Sequence, residues 1–143
     1  MPNLARPLLL AFAAFSSLVG SASAEKQYGS GVSDTEIKIG NIMPYSGPAS
    51  AYSIVGKTMS AYFRMINDNG GINGRRITFI SYDDACSPPK TLEQAKKLAE
   101  SDEVFLIFAA LGTATNAAIQ KYTNTKHVPP ALVLSGSARR GRP

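Results

Sequence analysis

Three short clusters hold most of the residues able to do chemistry in this chain. Asp83 and Asp84 stand together at the end of an alternating apolar run, and Cys86 follows two residues later. Such a pair invites a metal or a general-base role, but more often it orders a loop or caps the next helix. The second cluster is Pro44-Tyr45-Ser46-Gly47-Pro48 and the third is Leu111-Gly112-Thr113. Glycine in each lets backbone N–H groups approach a ligand closely, and Thr113 or Thr115 adds a hydroxyl. The third cluster also opens a helical stretch, whose free N–H groups and positive dipole end suit a carboxylate. Plainer readings stand beside these. Ser46-Gly47-Pro48 makes an ordinary turn, Gly112-Thr113 an ordinary helix start, and Tyr52 a packing residue.

Catalytic chemistry finds little support. Cys86 is the only cysteine, and His127, the only histidine, lies in a loop-like Lys-His-Val-Pro-Pro run. They assemble neither a nucleophile–base pair nor a zinc site. Cys86 reads as a small buried hydrophobe, an intermolecular partner or the orphan of a lost disulfide. A dinucleotide fingerprint needs Gly-x-Gly-x-x-Gly directly after the first strand, whereas Gly40 lies within that strand and Gly47 beyond it. There is no Gly-x-Ser-x-Gly elbow and no P-loop. No catalytic residue, cofactor or metal ligand is expected, and the chain does not read as an enzyme. The formal charge is +5, but Arg139, Arg140 and Arg142 crowd its end. The interior alternates cations with carboxylates, so it lacks the basic stripe that nucleic-acid binding requires.

The N-terminus points to export. Arg6 is the only charge before Glu25, residues 7–19 are apolar, and Ala22-Ser23-Ala24 has the small-x-small pattern of a cleavage site. The apolar run falls short of the ~20 residues of a membrane span. Residues 1–24 are therefore expected to be a signal peptide, leaving 119 residues, enough for one small domain. No later run is long enough to span a membrane, so a soluble exported product is expected.

The elements that position the clusters follow from periodicity. Residues 36–43 alternate apolar and polar before turning apolar, as a strand does. A helix is expected over 50–67, with Tyr52, Val55, Met59, Tyr62, Phe63 and Ile66 at helical spacing, closed by Gly70-Gly71. Asn73-Gly74 turns the chain into a second strand over 76–83. Ser87-Pro88-Pro89 opens a second helix, with serine as N-cap and proline in the first turn. Residues 104–110 are continuously apolar, as in a central strand covered on both faces. A third helix follows over 114–122 and a short fourth strand over 131–134. This alternation predicts an α/β domain, a Rossmann-like parallel sheet with helices on both faces. Ligands of such sheets bind beyond the carboxyl ends of the strands where the order reverses. In the order 2-1-3-4 that crevice lies between the first and third strands, facing the loops at 44–48 and 111–113.

Several motifs in order resemble one family, the periplasmic Leu/Ile/Val-type binding proteins of ABC importers. They are the strand at 37–43 with Ser46-Gly47-Pro48, the run from Asn67 to Gly74 in the form Asn-x-x-Gly-Gly-Ile-x-Gly, and Tyr82-Asp83-Asp84-Ala85-Cys86. Leu111-Gly112-Thr113 followed by Asn116-Ala117-Ala118 completes the set. The resemblance covers residues 34–129. It implies a two-lobed fold that closes on an amino acid or similar small carboxylate in the periplasm and delivers it to membrane permeases. It implies that Leu111, Gly112 and Thr113, with Ser135, hold the ligand carboxylate, that Tyr52 lines its side-chain pocket, and that Ser46 and Gly47 border the site. Members ending in Ala-Cys often pair that cysteine with one in the loop after the third strand. Leu111 stands there, so Cys86 is expected to be free. The chain ends where the fourth strand should lead into the rest of the lobe, so residues 25–134 read as an incomplete first lobe and 135–143 as a divergent, disordered tail. A truncated or frameshifted product, a partial sequence, a ligand-sensing domain of the same fold and a non-functional fragment all fit that pattern.

Overall fold

The computed structural model describes residues 27–136. The expected signal peptide at 1–24 and the last residues of the basic tail lie outside the described residues. Strand β1 spans Glu36–Met43, helix α1 Ser53–Asp68, β2 Arg76–Asp83 and α2 Pro88–Lys96. They are followed by β3 at Leu106–Phe108, α3 at Thr113–Thr125 and β4 at Pro130–Ala131. The four strands form one parallel sheet in the order β2-β1-β3-β4. The α/β class is the one the periodicity predicts, and the strand order is the one that places the crevice between the first and third strands.

β1 and β2 pair without a break from Glu36↔Arg76 to Met43↔Asp83. The start of this ladder is tied to the end of α1. Asn67 Nδ2 donates to the Ile77 carbonyl at 2.8 Å, and Ile77 N–H donates to Asn67 Oδ1 at 2.7 Å. The amide thus acts as a peptide group from an adjacent strand. The helix closes as expected, with Gly71 N–H returning to the Ile66 carbonyl at 2.9 Å and both glycines at positive φ.

Alternate residues of the sheet face two different layers. Ile42 and Ile107 pack with Ala95 and Leu98 of the α2 region and Ile119 of α3, and all five are buried. On the other face Phe63 of α1 meets Phe79 of β2 at 5.1 Å and Phe108 of β3 at 5.8 Å between ring centroids. That second layer is thin. Along α1 the only buried residue is Gly56, and Tyr52 and Tyr62 are 57% and 55% exposed. Ile54, Tyr62 and Met65, at spacings of eight and three, form an exposed apolar flank.

Three local expectations need correction. The first turn of the expected first helix, Ser50–Tyr52, is 3-10 rather than α. The apolar run at 104–110 contributes only three residues to a ladder. Phe105 is exposed, and Ala109 takes a positive φ of 52° that ends the strand. Ser87 precedes α2 but makes no side-chain cap. The neighbouring carboxylate instead ties the preceding loop to the helix: Asp84 accepts from Cys86 N–H at 2.8 Å and from the Thr91 hydroxyl at 2.7 Å. Beyond α2 the chain continues through a π turn, Lys97–Ser101.

The two layers predict unequal sensitivity to truncation. Leu98→Ala removes a fully buried side chain and is expected to cost about 2–5 kcal/mol. Tyr62→Ser, on the exposed flank, is expected to change stability by less than about 0.5 kcal/mol. Urea titration monitored by circular dichroism measures both.

Candidate functional site

β1, β3 and β4 end side by side, and the loops leaving them are held mainly from beneath. Asn41, fully buried in β1, donates from Nδ2 to the carbonyls of Phe108 at 2.8 Å and Ala109 at 3.3 Å. Its Oδ1 accepts from the Ser81 hydroxyl at 2.7 Å, and Ser81 in turn shares a hydrogen bond with the Tyr45 hydroxyl. Asn116, buried in the first turn of α3, donates from Nδ2 to the carbonyls of Ala110 at 2.9 Å and Gly112 at 2.6 Å. Thr115 donates to the Leu111 carbonyl at 2.7 Å. Five consecutive carbonyls, 108–112, thus receive side-chain donors, and the loop is built to a fixed shape. Asn116 Oδ1 is left buried without a partner.

These bonds revise the roles available to the expected residues. The N–H of Leu111 is committed to the Ile42 carbonyl at 3.3 Å, and that of Gly112 to the Leu134 carbonyl at 2.9 Å. Neither amide is available to a ligand, so Leu111 and Gly112 serve as framework. Thr115 is buried and its hydroxyl is engaged, which leaves Thr113 as the hydroxyl at the surface. Gly112 adopts φ 109°, and a Cβ there would lie 2.4 Å from Thr115 Oγ1. No side chain caps α3, so its first-turn amides, beginning with exposed Thr113 and Ala114, point out of the helix end without an intrahelical acceptor.

The loop after β4 closes on the same point. Leu134 N–H donates to the Ala110 carbonyl at 3.0 Å, and Thr113 Oγ1 and Ser135 Oγ share a hydrogen bond of 2.9 Å. Thr113 and Ser135, far apart in sequence, are brought together at the open end of α3.

The loop after β1 is ordered by Asp83. Its Oδ1 accepts from Tyr45 N–H at 2.8 Å, Ser46 N–H at 3.0 Å and Ala85 N–H at 3.0 Å, and Oδ2 accepts from the Ser46 hydroxyl. Partial desolvation pushes its pKa up. The donors from the Ser46 side chain and from the backbone of Ala85, Ser46 and Tyr45 outweigh that push and hold it at about 2. Asp83 and Asp84 therefore order loops, the plainer of their two readings. Ser46 spends its donors on Asp83, Gly47 lies exposed against Ala85, and Tyr52 is exposed at the head of α1. Cys86 is free and exposed, which removes the reading of it as a buried hydrophobe.

Two residues of this framework carry no obvious signal in sequence. Asn41 is a lone amide within an apolar strand, a polar residue that only a buried acceptor set explains. Asn116 is part of a recognised motif, but its contacts are to backbone and have no sequence signature.

A family model described as periplasmic binding protein matches residues 36–141. The chain belongs to that family. It is 30% identical over 87 residues to the leucine-, isoleucine-, valine-, threonine- and alanine-binding protein of Pseudomonas aeruginosa, covering 60% of this chain and 23% of that protein. Among solved structures it resembles a branched-chain amino acid transporter substrate binding protein of Streptococcus pneumoniae in complex with isoleucine. There the TM-score is 0.66 at 21% identity, over 73% of this chain and 30% of the other. It also resembles an ABC transporter solute binding protein of Rhodopseudomonas palustris in complex with 3,4-dihydroxybenzoic acid, with TM-score 0.61 at 26% identity, over 72% and 28%. The chain thus spans less than a third of the length of these relatives.

The Asp83 clamp gives a pH prediction with a definite sign. Its carboxyl is held below the ordinary 3.8, so its contribution is complete above about pH 4 and is lost as pH falls through about 2. Asp83→Asn is expected to cost on the order of 1–3 kcal/mol at neutral pH and to flatten the acid limb of a stability–pH curve. Chemical denaturation between pH 2 and 7 tests both effects.

Proposed function

We propose that this chain supplies the carboxylate-holding wall of a solute-binding protein that serves an ABC importer in the periplasm. The observation that carries the reading is the uncapped start of α3, with Thr113 and Ser135 joined beside it. Exposed first-turn amides and the helix dipole favour a carboxylate, and the joined hydroxyls of Thr113 and Ser135 add polar surface at the same place. The Gly112 turn and the amides of Asn41 and Asn116 keep that end open and rigid. Ser46 and Gly47 border the crevice from the loop after β1, and Tyr52 stands over its rim. Leu111 and Gly112 shape the wall without donating to the ligand.

Support for a carboxylate also comes from the relatives. Isoleucine and 3,4-dihydroxybenzoic acid, named with two of the similar structures, differ in body but share that group. The ligand of this chain belongs to the same class, an amino acid or related small acid. Residues 1–24 direct export, and permease subunits at the membrane receive the ligand. Binding involves no chemistry on the ligand. Affinity in such a design comes from closing a second wall over the first and excluding water.

Only one wall is present among the described residues, so the chain by itself is expected to bind weakly. Titration calorimetry with isoleucine, leucine and valine is expected to give no micromolar binding. Amide NMR at millimolar isoleucine is expected to shift Thr113 and Ala114, and Gly112→Ala should remove those shifts. Micromolar affinity in the isolated chain would overturn the one-wall reading. Shifts confined to other elements would overturn the assignment of the α3 end.

A further inference from the structure

The molecule carries a second concavity, apart from the α3 end and bounded on one side by Tyr45 of the loop after β1. It lies between α1 and β2, the outermost strand on that side of the sheet, and has a volume of about 350 Å³. Tyr45, Phe79 and Ser81 form its sheet side, and Lys57, Ser60 and Arg64 its helix side. Pockets of this size accommodate small molecules.

Its chemistry is one-sided. Lys57, Ser60 and Arg64 follow one another at spacings of three and four, so they share one flank of α1. The two cations stand about 10 Å apart along the helix axis, within reach of a single bound group for side chains of their length. Among the described residues neither makes an ion pair, and no carboxylate lines the cleft. Asp83, further along β2, is saturated by donors from Tyr45, Ser46 and Ala85. The floor combines an aromatic ring, Phe79, with the hydroxyls of Ser60, Ser81 and Tyr45.

The cleft is also built rather than left over. Gly56 is the only buried residue of α1, and a Cβ there would come within 2.3 Å of the Tyr45 hydroxyl. Glycine at this position lets the Tyr45 ring lie across the helix and hydrogen-bond Ser81, which closes one end of the cleft.

The geometry points to a second binding site here, for a small organic anion: its carboxylate lies between Lys57 and Arg64 and its flat apolar body rests on Phe79. This site is distinct from the α3 end, and its ligand need not be the transported solute.

Benzoate is a suitable probe, titrated into the full chain at low ionic strength and followed by amide NMR. Saturable shifts at Ser60, Phe79 and Ser81 are expected, and moderate salt should weaken them as it screens the two exposed cations. Lys57→Gln and Arg64→Gln are each expected to weaken binding severalfold, and the pair together at least tenfold. Both positions are exposed, and unchanged circular dichroism verifies that the variants are folded. Thr113→Ala, which alters the α3 end, should leave these shifts in place. Shifts centred on Thr113 and Ala114, or shifts at Phe79 that survive the double substitution, would overturn the proposal. Absence of saturable shifts at millimolar benzoate would overturn it as well.

Discussion

The buried amide of Asn41 joins three parallel strands where the sheet gives way to loops. It accepts from Ser81 on β2 and donates to two carbonyls at the end of β3, while its own backbone belongs to β1. Burying an amide is costly unless its hydrogen bonds are made, and here both donor and acceptor are used. Ala109, at positive φ, departs from strand geometry at this point. The departure carries the chain across to α3 and leaves the helix end open. A residue at a sparsely populated φ persists only where its surroundings hold it. The Asn41 and Asn116 donors are those surroundings.

Much of this was legible in the sequence. Alternation at 36–43 and 76–83, helical spacing through Phe63 and Ile66, and the Pro88-Pro89 start all report local geometry, which neighbouring residues encode. The parallel order follows from short βα connections. Less legible were the donor assignments. That Leu111 and Gly112 have no N–H to offer depends on partners at Ile42 and Leu134, which only the folded register brings close. The same is true of the cap on α2. Ser87 has the right side chain in the right place, yet it makes no cap, and the loop is tied to the helix by Asp84 and Thr91 instead. The buried layer under α2 and α3 could be anticipated from apolar spacing. The exposure of Tyr52 and Tyr62 could not, because periodicity shows which side of a helix is apolar but not what covers it.

The two faces of the sheet accordingly differ in character. One is a closed core in which Leu98, Ile107 and Ile119 are fully buried. The other rests on a single helix and three aromatic rings, with one flank of α1 apolar and the opposite flank cationic. The glycine that shapes the cationic flank does so through space left for Tyr45, and Tyr45 reaches the Asn41 network through Ser81. The outer cleft and the loop at the crevice therefore share one chain of hydrogen bonds, running from Tyr45 through Ser81 and Asn41 to Ala109.

At one edge of the described sheet, β4 has a property that matters when many copies are present together. Ile107 and Ala109 donate to the carbonyls of Pro129 and Ala131, so the intervening residue, Pro130, is turned to the free side. Proline has no N–H there, and Leu132, next in line, interrupts the extended backbone at φ 50° before Leu134 pairs again beside Leu111. A bare strand edge is a template on which another molecule can pair and continue the sheet. Among the described residues, this edge offers no donor at its centre, which makes β4 a poor template for such pairing, in contrast to the unbroken eight-residue β2 at the opposite edge.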